Sequence, residues 1–170
     1  APASGYNVIA VGSLGSDLSS PQYGFVSSFS SRGPQPIYIP NVQAADYFNP
    51  AHGTVISNAR AAVDIVAPGE NLVTALYGGT TGGNTGGTSL PGSNLYSNVS
   101  GTSFAAPRVA HLAGRVLAAM PTASPDLLRA LVVNSAEWPV RVTREERADA
   151  LRAFGYGVPR PDRIFDISGP

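Results

Sequence analysis

The chain has 170 residues, 43% of them apolar and 13% charged, and its formal net charge is zero. This length allows one domain or part of one with a real hydrophobic core, and the composition excludes an intrinsically disordered chain. All eleven basic residues are arginines that form no basic run, which argues against a nucleic-acid-binding protein. The chain has no cysteine, so disulfides, thiolate metal sites and cysteine catalysis are excluded.

No apolar run approaches the roughly 20 residues of a membrane span, so we expect no membrane partner. The abundance of arginine and alanine without lysine is typical of a GC-rich bacterial genome. The compartment stays open between secreted and cytoplasmic.

Two short apolar runs predict strands that are buried on both faces, as in a parallel sheet. They are residues 7–12, Asn-Val-Ile-Ala-Val-Gly, and residues 63–69, Val-Asp-Ile-Val-Ala-Pro-Gly. A third strand is predicted at 72–76. Residues 27–34 carry small polar side chains around one phenylalanine and end in a Gly-Pro turn.

Two segments between these strands are less regular. Residues 35–62 contain three prolines and predict a long excursion with at most a short helix. Residues 78–92 contain three Gly-Gly pairs and predict a flexible surface loop. This loop lies just upstream of Ser103 and could overhang a site there, although a surface decoration is the simpler interpretation.

The second half of the chain predicts three helices. The first covers 103–119, where apolar residues recur at helical spacing among many alanines, and such small residues favour a central helix. Ser124 and Pro125 form an N-cap and first-turn pair for a helix over 127–133. Thr143 and Glu146 form a capping box for a helix that Gly155 ends. Strands followed by packed helices predict an α/β architecture.

Residues 101–107, Gly-Thr-Ser-Phe-Ala-Ala-Pro, place one hydroxyl, that of Ser103, at the start of the first helix. Unpaired backbone N–H groups and the positive end of the helix dipole favour developing negative charge at such a position. A serine nucleophile needs this environment. Pro107 cannot donate a hydrogen bond to the carbonyl of Ser103 four residues earlier, which relaxes the turn beneath the hydroxyl.

Four segments together resemble, in order, the C-terminal part of a subtilisin-like serine protease of the S8 subtilase family. Residues 8–12 resemble its mid-sheet strand, 29–34 its Phe-Ser-Ser-x-Gly-Pro turn, and 64–69 its Asp-x-x-Ala-Pro-Gly strand. Residues 101–107 resemble its Gly-Thr-Ser-x-Ala-x-Pro nucleophile motif. The resemblance implies a subtilisin-like α/β fold with a mostly parallel sheet and packed helices.

By this resemblance, residues 1–170 form the C-terminal portion of a peptidase domain, with insertions at about 35–62 and 78–92. Ser103 would be the catalytic nucleophile of a serine endopeptidase acting on polypeptides, and its motif would include Gly101, Thr102 and Pro107. The triad aspartate and histidine and the oxyanion asparagine belong upstream in the family's chain order. We therefore expect an N-terminal segment of the same gene product to supply them, and the chain alone to be inactive. A non-catalytic binding or assembly module is the alternative.

Two histidines test this expectation. His52 begins a His-Gly-Thr run like that of the family's histidine motif, but it follows the 29–34 turn, which is the wrong order. A loop histidine is the favoured interpretation of His52, and a recruited catalytic base is the alternative. His111 lies eight residues after Ser103 on one helix, about 12 Å along its axis, and is interpreted as a packed helix residue.

Asp64 occupies the position where some relatives complete a weak cation site. One carboxylate gives poor support for structural calcium, so we expect no cofactor and no metal site, and a structural role for Asp64. Tyr156, between two glycines, is interpreted as a packing residue.

Overall fold

The computed structural model of the chain describes residues 5, 7–16, 23–40, 53–75, 88–89 and 95–165. Within these ranges the chain forms eight strands and four helices. The strands are β1 (Val11–Ser16), β2 (Tyr23–Val26), β3 (Gln35–Pro40), β4 (Gly53–Arg60), β5 (Ile65–Pro68), β6 (Leu72–Ala75), β7 (Thr88–Ser89) and β8 (Tyr96–Val99). The helices are α1 (Thr102–Ala119), α2 (Pro125–Asn134), α3 (Arg147–Phe154) and α4 (Pro161–Phe165).

The central sheet has the strand order β2-β1-β5. The β1–β5 ladder is parallel, with Val11 opposite Ile65 and Leu14 opposite Pro68, whereas β1 and β2 run antiparallel. The two smaller sheets, β3-β4 and β6-β8-β7, are antiparallel throughout the described residues. The expected α/β architecture with packed helices is confirmed. The sheet is mixed, however, and the expected parallel pairing holds for the β1–β5 ladder.

Strand β5 is buried on both faces, as predicted. Ile65 and Ala67 pack with Ala105 and Val109 of α1, while Val66 packs on the opposite face with a second apolar cluster. Alternate residues of a strand point to opposite faces of a sheet, so four residues are enough to join both clusters. This double burial places α1 directly against the central sheet.

The first predicted strand begins later than its apolar run indicates. Residues 7–10 precede the ladder, and β1 starts at Val11. The backbone N–H of Ala10 donates to the carboxylate of Asp64 at 2.8 Å instead of to a neighbouring strand. A side-chain acceptor has therefore replaced a strand acceptor for this N–H, while the Ala10 carbonyl still accepts the backbone N–H of Asp64 at 2.9 Å.

The expectation of a long excursion with at most a short helix missed two strands, because the described residues of segment 35–62 form the antiparallel β3–β4 hairpin. Tyr38 lies opposite Val55, and Ile39 lies opposite Thr54. The register shifts between Gln35 and Ile37, whose partners Arg60 and Ile56 are four residues apart, so the proline between them lies opposite a β-bulge in β4. Proline is tolerated at such an irregular position of a sheet. The described prolines are therefore compatible with strand pairing.

The glycine-rich segment 78–92 lies largely outside the described residues. The exception is β7 at 88–89, which pairs with β8. The prediction of a flexible loop there stays a prediction. Leu76, included in the predicted third strand, also lies outside, whereas β6 confirms that strand over Leu72–Ala75.

The helix signals are confirmed, with one difference in start. The hydroxyl of Ser124 accepts the backbone N–H of Leu127 at 3.2 Å, and Pro125 is the first residue of α2. At α3, the backbone N–H and hydroxyl of Thr143 both donate to the Glu146 carboxylate, which lowers the pKa of that carboxyl below its ordinary value of 4.5. Since the Thr143 hydroxyl is used in this way, the capping box is half made and α3 begins at Arg147.

The end of α3 follows its sequence signal. Gly155 is the C-cap residue with a positive φ of 58°. A Cβ there would overlap the backbone of Asp64, so glycine is required both by conformation and by space. None of the described helices is long and apolar enough to cross a membrane.

Candidate active site

The start of α1 is fixed by the loop that follows β5. The backbone N–H of Gly101 donates to the carbonyl of Gly69 at 2.7 Å, and the N–H of Asn71 donates to the hydroxyl of Ser100 at 3.0 Å. These two bonds tie the segment before the helix to the carboxyl end of a buried strand. The orientation of Ser103 is therefore set by the central sheet.

Gly69 makes this junction possible because nothing larger fits there. A Cβ on Gly69 would lie 2.5 Å from the Ser13 hydroxyl, 2.9 Å from the Gly101 carbonyl and 3.0 Å from the Cβ of Ala105. Ser13 is fully buried in β1 and shares a hydrogen bond of 2.8 Å with the hydroxyl of Ser27. The floor beneath the helix start is thus closely packed and its buried hydroxyls are paired.

Ser103 is the second residue of α1 and is exposed, whereas Ala105, two residues later, is fully buried. The N-cap residue, Gly101, has no side chain to cap the helix, and the first turn contains no acidic residue. The positive end of the helix dipole is therefore not neutralised by a carboxylate within that turn. An accessible hydroxyl beside uncapped backbone N–H groups can support an attack that generates an oxyanion.

Two other residues of the motif lie in the first two turns of α1. Thr102 begins α1 and is half-buried, and Pro107 lies inside the helix on its exposed side. Because proline has no N–H, the Ser103 carbonyl lacks the usual donor four residues later.

The histidines do not complete the site within the described residues. His111 is eight residues along α1 from Ser103, so the rise of the helix separates the two residues by about 12 Å along the axis. The interpretation of His111 as a packed residue is wrong, because it is exposed at the edge of a cavity. His52 lies outside the described residues, and its role stays a prediction.

Asp64 is held by protein groups on every side that the structure describes. Its Oδ2 atom accepts the N–H of Ala10 and lies 3.2 Å from Arg60, and its Oδ1 atom lies 3.4 Å from Arg129. Arg60 also donates to the carbonyl of Gly5 at 2.9 Å. Two guanidinium groups against one carboxylate do not fit a cation site, since they would repel the ion.

In the described ranges no group of three or more His, Asp or Glu side chains could hold a metal ion.

The interpretation of Tyr156 as a packing residue is wrong, because this residue is 56% exposed. Its backbone N–H donates to the carbonyl of Asp64, so Tyr156 contributes through its main chain.

Sequence reasoning missed the positioning role of Gly69 and Ser13. The Pro-Gly pair at 68–69 ends the predicted strand, and β5 does end at Pro68. The sequence prediction did not include a packing role for the glycine. A glycine directly after a buried strand also signals close approach of another backbone, and that signal could have identified the contact with Gly101. The pairing of Ser13 with Ser27 has no comparable signal, because the two residues meet only through the β1–β2 pairing.

Several proteins are similar in sequence to parts of this chain. The chain is 33% identical over 107 residues to a probable subtilase-type serine protease of Deinococcus radiodurans, covering 61% of this chain and 14% of that protein. It is 36% identical over 81 residues to an extracellular protease of Xanthomonas campestris pv. campestris, covering 47% of this chain and 13% of the relative. An uncharacterised protein of Sinorhizobium fredii is 43% identical over 68 residues, covering 38% of this chain and 16% of that protein. The chain thus spans a small part of these relatives.

Solved structures share the fold at lower identity. Fervidolysin from Fervidobacterium pennivorans, a keratinolytic enzyme related to subtilisin, superposes with a TM-score of 0.61 at 24% identity. The match covers 99% of this chain and 20% of fervidolysin. A protease from Pseudoalteromonas arctica superposes with a TM-score of 0.56 at 21% identity, over 99% of this chain and 38% of that one. The peptidase S8 (subtilase) family model matches residues 1–157, and the chain therefore belongs to the subtilase family.

Proposed function

We propose that this chain is the C-terminal portion, residues 1–170, of the peptidase domain of a serine endopeptidase that hydrolyses peptide bonds in polypeptides. Ser103 is the nucleophile in this proposal. The observation that carries it is an exposed serine within the family's nucleophile motif, at the start of a helix that is anchored to the core by the fully buried Ala105. Membership of a family of serine proteases supports the same reaction class.

The reaction would proceed through an acyl-enzyme. The Ser103 oxygen attacks the peptide carbonyl carbon and gives its proton to a histidine, and that proton then passes to the leaving amine. The backbone N–H of Ser103 contributes to binding the tetrahedral oxyanion, and Thr102 can add a polar contact. Gly101 lets the chain enter the helix without a side chain between the substrate and these N–H groups.

The proton acceptor is proposed to come from an N-terminal segment of the same gene product, which would also supply the aspartate and the oxyanion asparagine. Two structural facts support this division: His111 is too far along α1, and Asp64 is already paired with arginines. A site without its general base keeps only a small part of the rate enhancement. We therefore expect the chain alone to be inactive.

A fluorophosphonate probe tests the proposal, because it labels only an activated serine. The chain is treated alone and after mixing with the upstream segment of its own gene product. We expect labelling of Ser103 in the mixture alone, and its loss in Ser103→Ala. Ser28→Ala is the matched control, since it removes an exposed serine hydroxyl outside the junction before α1 and should leave labelling intact. Labelling of the chain alone that disappears in His52→Ala would instead assign the base to His52.

A non-catalytic binding module is the second candidate, and one observation favours it. The β3–β4 hairpin exposes Ile39 by 49% and Ile56 by 45% on one face and Val55 by 54% on the other, so both of its faces carry exposed apolar side chains. Absence of labelling both in the chain and in the mixture, with both proteins folded by circular dichroism, would support this module and contradict the peptidase.

A further inference from the structure

A cavity of about 230 Å³ lies beside α1, away from Ser103. Its apolar floor includes Val109 and Leu112 of α1 and Pro159 of the segment before α4. By the helical rise, its lining residues on α1 begin about 8 Å beyond Ser103 along the axis and end about 18 Å beyond it. The cavity is therefore a separate feature from the proposed nucleophile.

Three nitrogen-bearing side chains from successive turns of α1 also line the cavity: Arg108, His111 and Arg115. Among the described residues no Asp or Glu lines it, and α1 has no acidic residue over its whole length. The spacing of three and four residues places the three side chains on one face of the helix. An apolar floor with a cationic edge is suited to a ligand that has an apolar body and a negative charge.

The two guanidinium groups are not neutralised by the carboxylates that the structure describes. Neither Arg108 nor Arg115 forms an ion pair there, whereas the nearby Arg160 and Arg163 are both paired with Glu137. Arg115 lies over the ring of Phe165 at 5.0 Å, a cation–π contact that orients the guanidinium and leaves its charge in place. Within the described part of the chain, Glu137 is thus already engaged, and we treat these two cations as the groups that meet a ligand.

We propose that this cavity binds the C-terminal residue of a peptide that ends in an apolar side chain. The α-carboxylate would pair with Arg108 or Arg115, and the side chain would lie on the floor at Leu112. In a C-terminal residue the carboxylate and the side chain are attached to the same Cα atom, so they lie close together. The cavity likewise has its cationic side chains next to its apolar floor. The cavity is smaller than the roughly 300–1,000 Å³ of sites for drug-sized ligands. It therefore has room for about one amino-acid residue and is too small for a long acyl chain.

The choice of a peptide rests on the proposed peptidase function, because each hydrolysis creates a new C-terminal carboxylate. The charge and shape of the cavity do not rest on it. Binding at this cavity and labelling at Ser103 are measured separately, so either proposal can fail without the other.

The test is a calorimetric or NMR titration of the 170-residue chain with N-acetyl-L-leucine. The matched probe is N-acetyl-L-leucinamide, which has the same apolar body without the charge. We expect the acid to bind at least about tenfold more tightly than the amide, and added salt to reduce the difference. Arg108→Gln and Arg115→Gln should each weaken binding of the acid about fivefold.

Arg144→Gln is the charge-matched control, because Arg144 is exposed and does not line the cavity. It should leave the affinity for N-acetyl-L-leucine unchanged, with thermal unfolding confirming that all variants fold. Equal binding of acid and amide would overturn the proposal. Tighter binding of octanoate than of N-acetyl-L-leucine would overturn the choice of a peptide and assign the cavity to a fatty acid.

Discussion

The α1–β5 contact and the β3–β4 hairpin are built from similar residues and end in opposite environments. Ile65 and Val66 of β5 are fully buried, whereas Val55 and Ile56 of β4 are about half exposed. Both strands contain adjacent β-branched residues, which favour strands in either place. The difference teaches that local sequence selects the strand, while tertiary packing decides its burial: α1 covers one face of β5 and the second apolar cluster covers the other.

The two regions are joined at Arg60, the last residue of β4. Its guanidinium reaches Asp64, one residue before β5, and the carbonyl of Gly5. Both side chains of the ion pair are about 15% exposed. The hairpin is therefore attached to the central sheet by a nearly buried polar contact as well as by the chain.

The largest expected effect separates the two regions directly. Ile65→Ala should lower the free energy of unfolding by about 3 kcal/mol, because it removes a fully buried side chain from the cluster beneath α1. Ile56→Ala, the matched change in the hairpin, should cost under about 1 kcal/mol. Urea denaturation followed by circular dichroism measures both. Similar losses in the two variants would contradict the contrast in burial.

A smaller effect tests how tightly the floor beneath Ser103 is packed. Gly69→Ala should cost about 2 kcal/mol, because the added Cβ meets the Ser13 hydroxyl and the Gly101 carbonyl. Gly114→Ala is the control within α1, since its Cβ would meet nothing within 4 Å. That variant should instead gain about 0.5–1 kcal/mol from helix propensity. Thermal and urea unfolding compare the two, and a neutral Gly69→Ala would show that the junction has room to relax.

The smallest expected effect concerns the joint between the regions. Arg60→Met keeps much of the apolar stem and removes the charge, and should cost about 1.5 kcal/mol because Asp64 loses one charged partner but keeps Arg129 and the Ala10 N–H. Arg152→Met removes the exposed ion pair with Asp149 and should cost about 0.3 kcal/mol. Hydrogen exchange should become faster in β4 of Arg60→Met. Equal losses in the two variants would indicate that the buried joint adds nothing beyond a surface pair.

Particular residues show which features the sequence was able to predict. The N-cap at Ser124, the stop at Gly155 and the buried strand before Gly69 were predicted because each depends on the chemistry of a few adjacent residues. The sequence does not predict the hairpin at 35–60, because prolines usually disfavour regular secondary structure. The β-bulge opposite one of these prolines allows the strands to pair, and only the paired register shows it.

The position of Ser103 at the start of a helix was determined by the sequence alone, since a short motif sets both the helix start and the missing donor at Pro107. Tertiary structure decided what lies beneath and beside it: Gly69 under the turn, the arginines around Asp64, and the cavity edged by Arg108 and Arg115. Helix starts and caps depend on neighbours along the chain, so their signals are local. Contacts between groups tens of residues apart depend on how strands and helices pack. They cannot be inferred from the residues next to each group in the sequence.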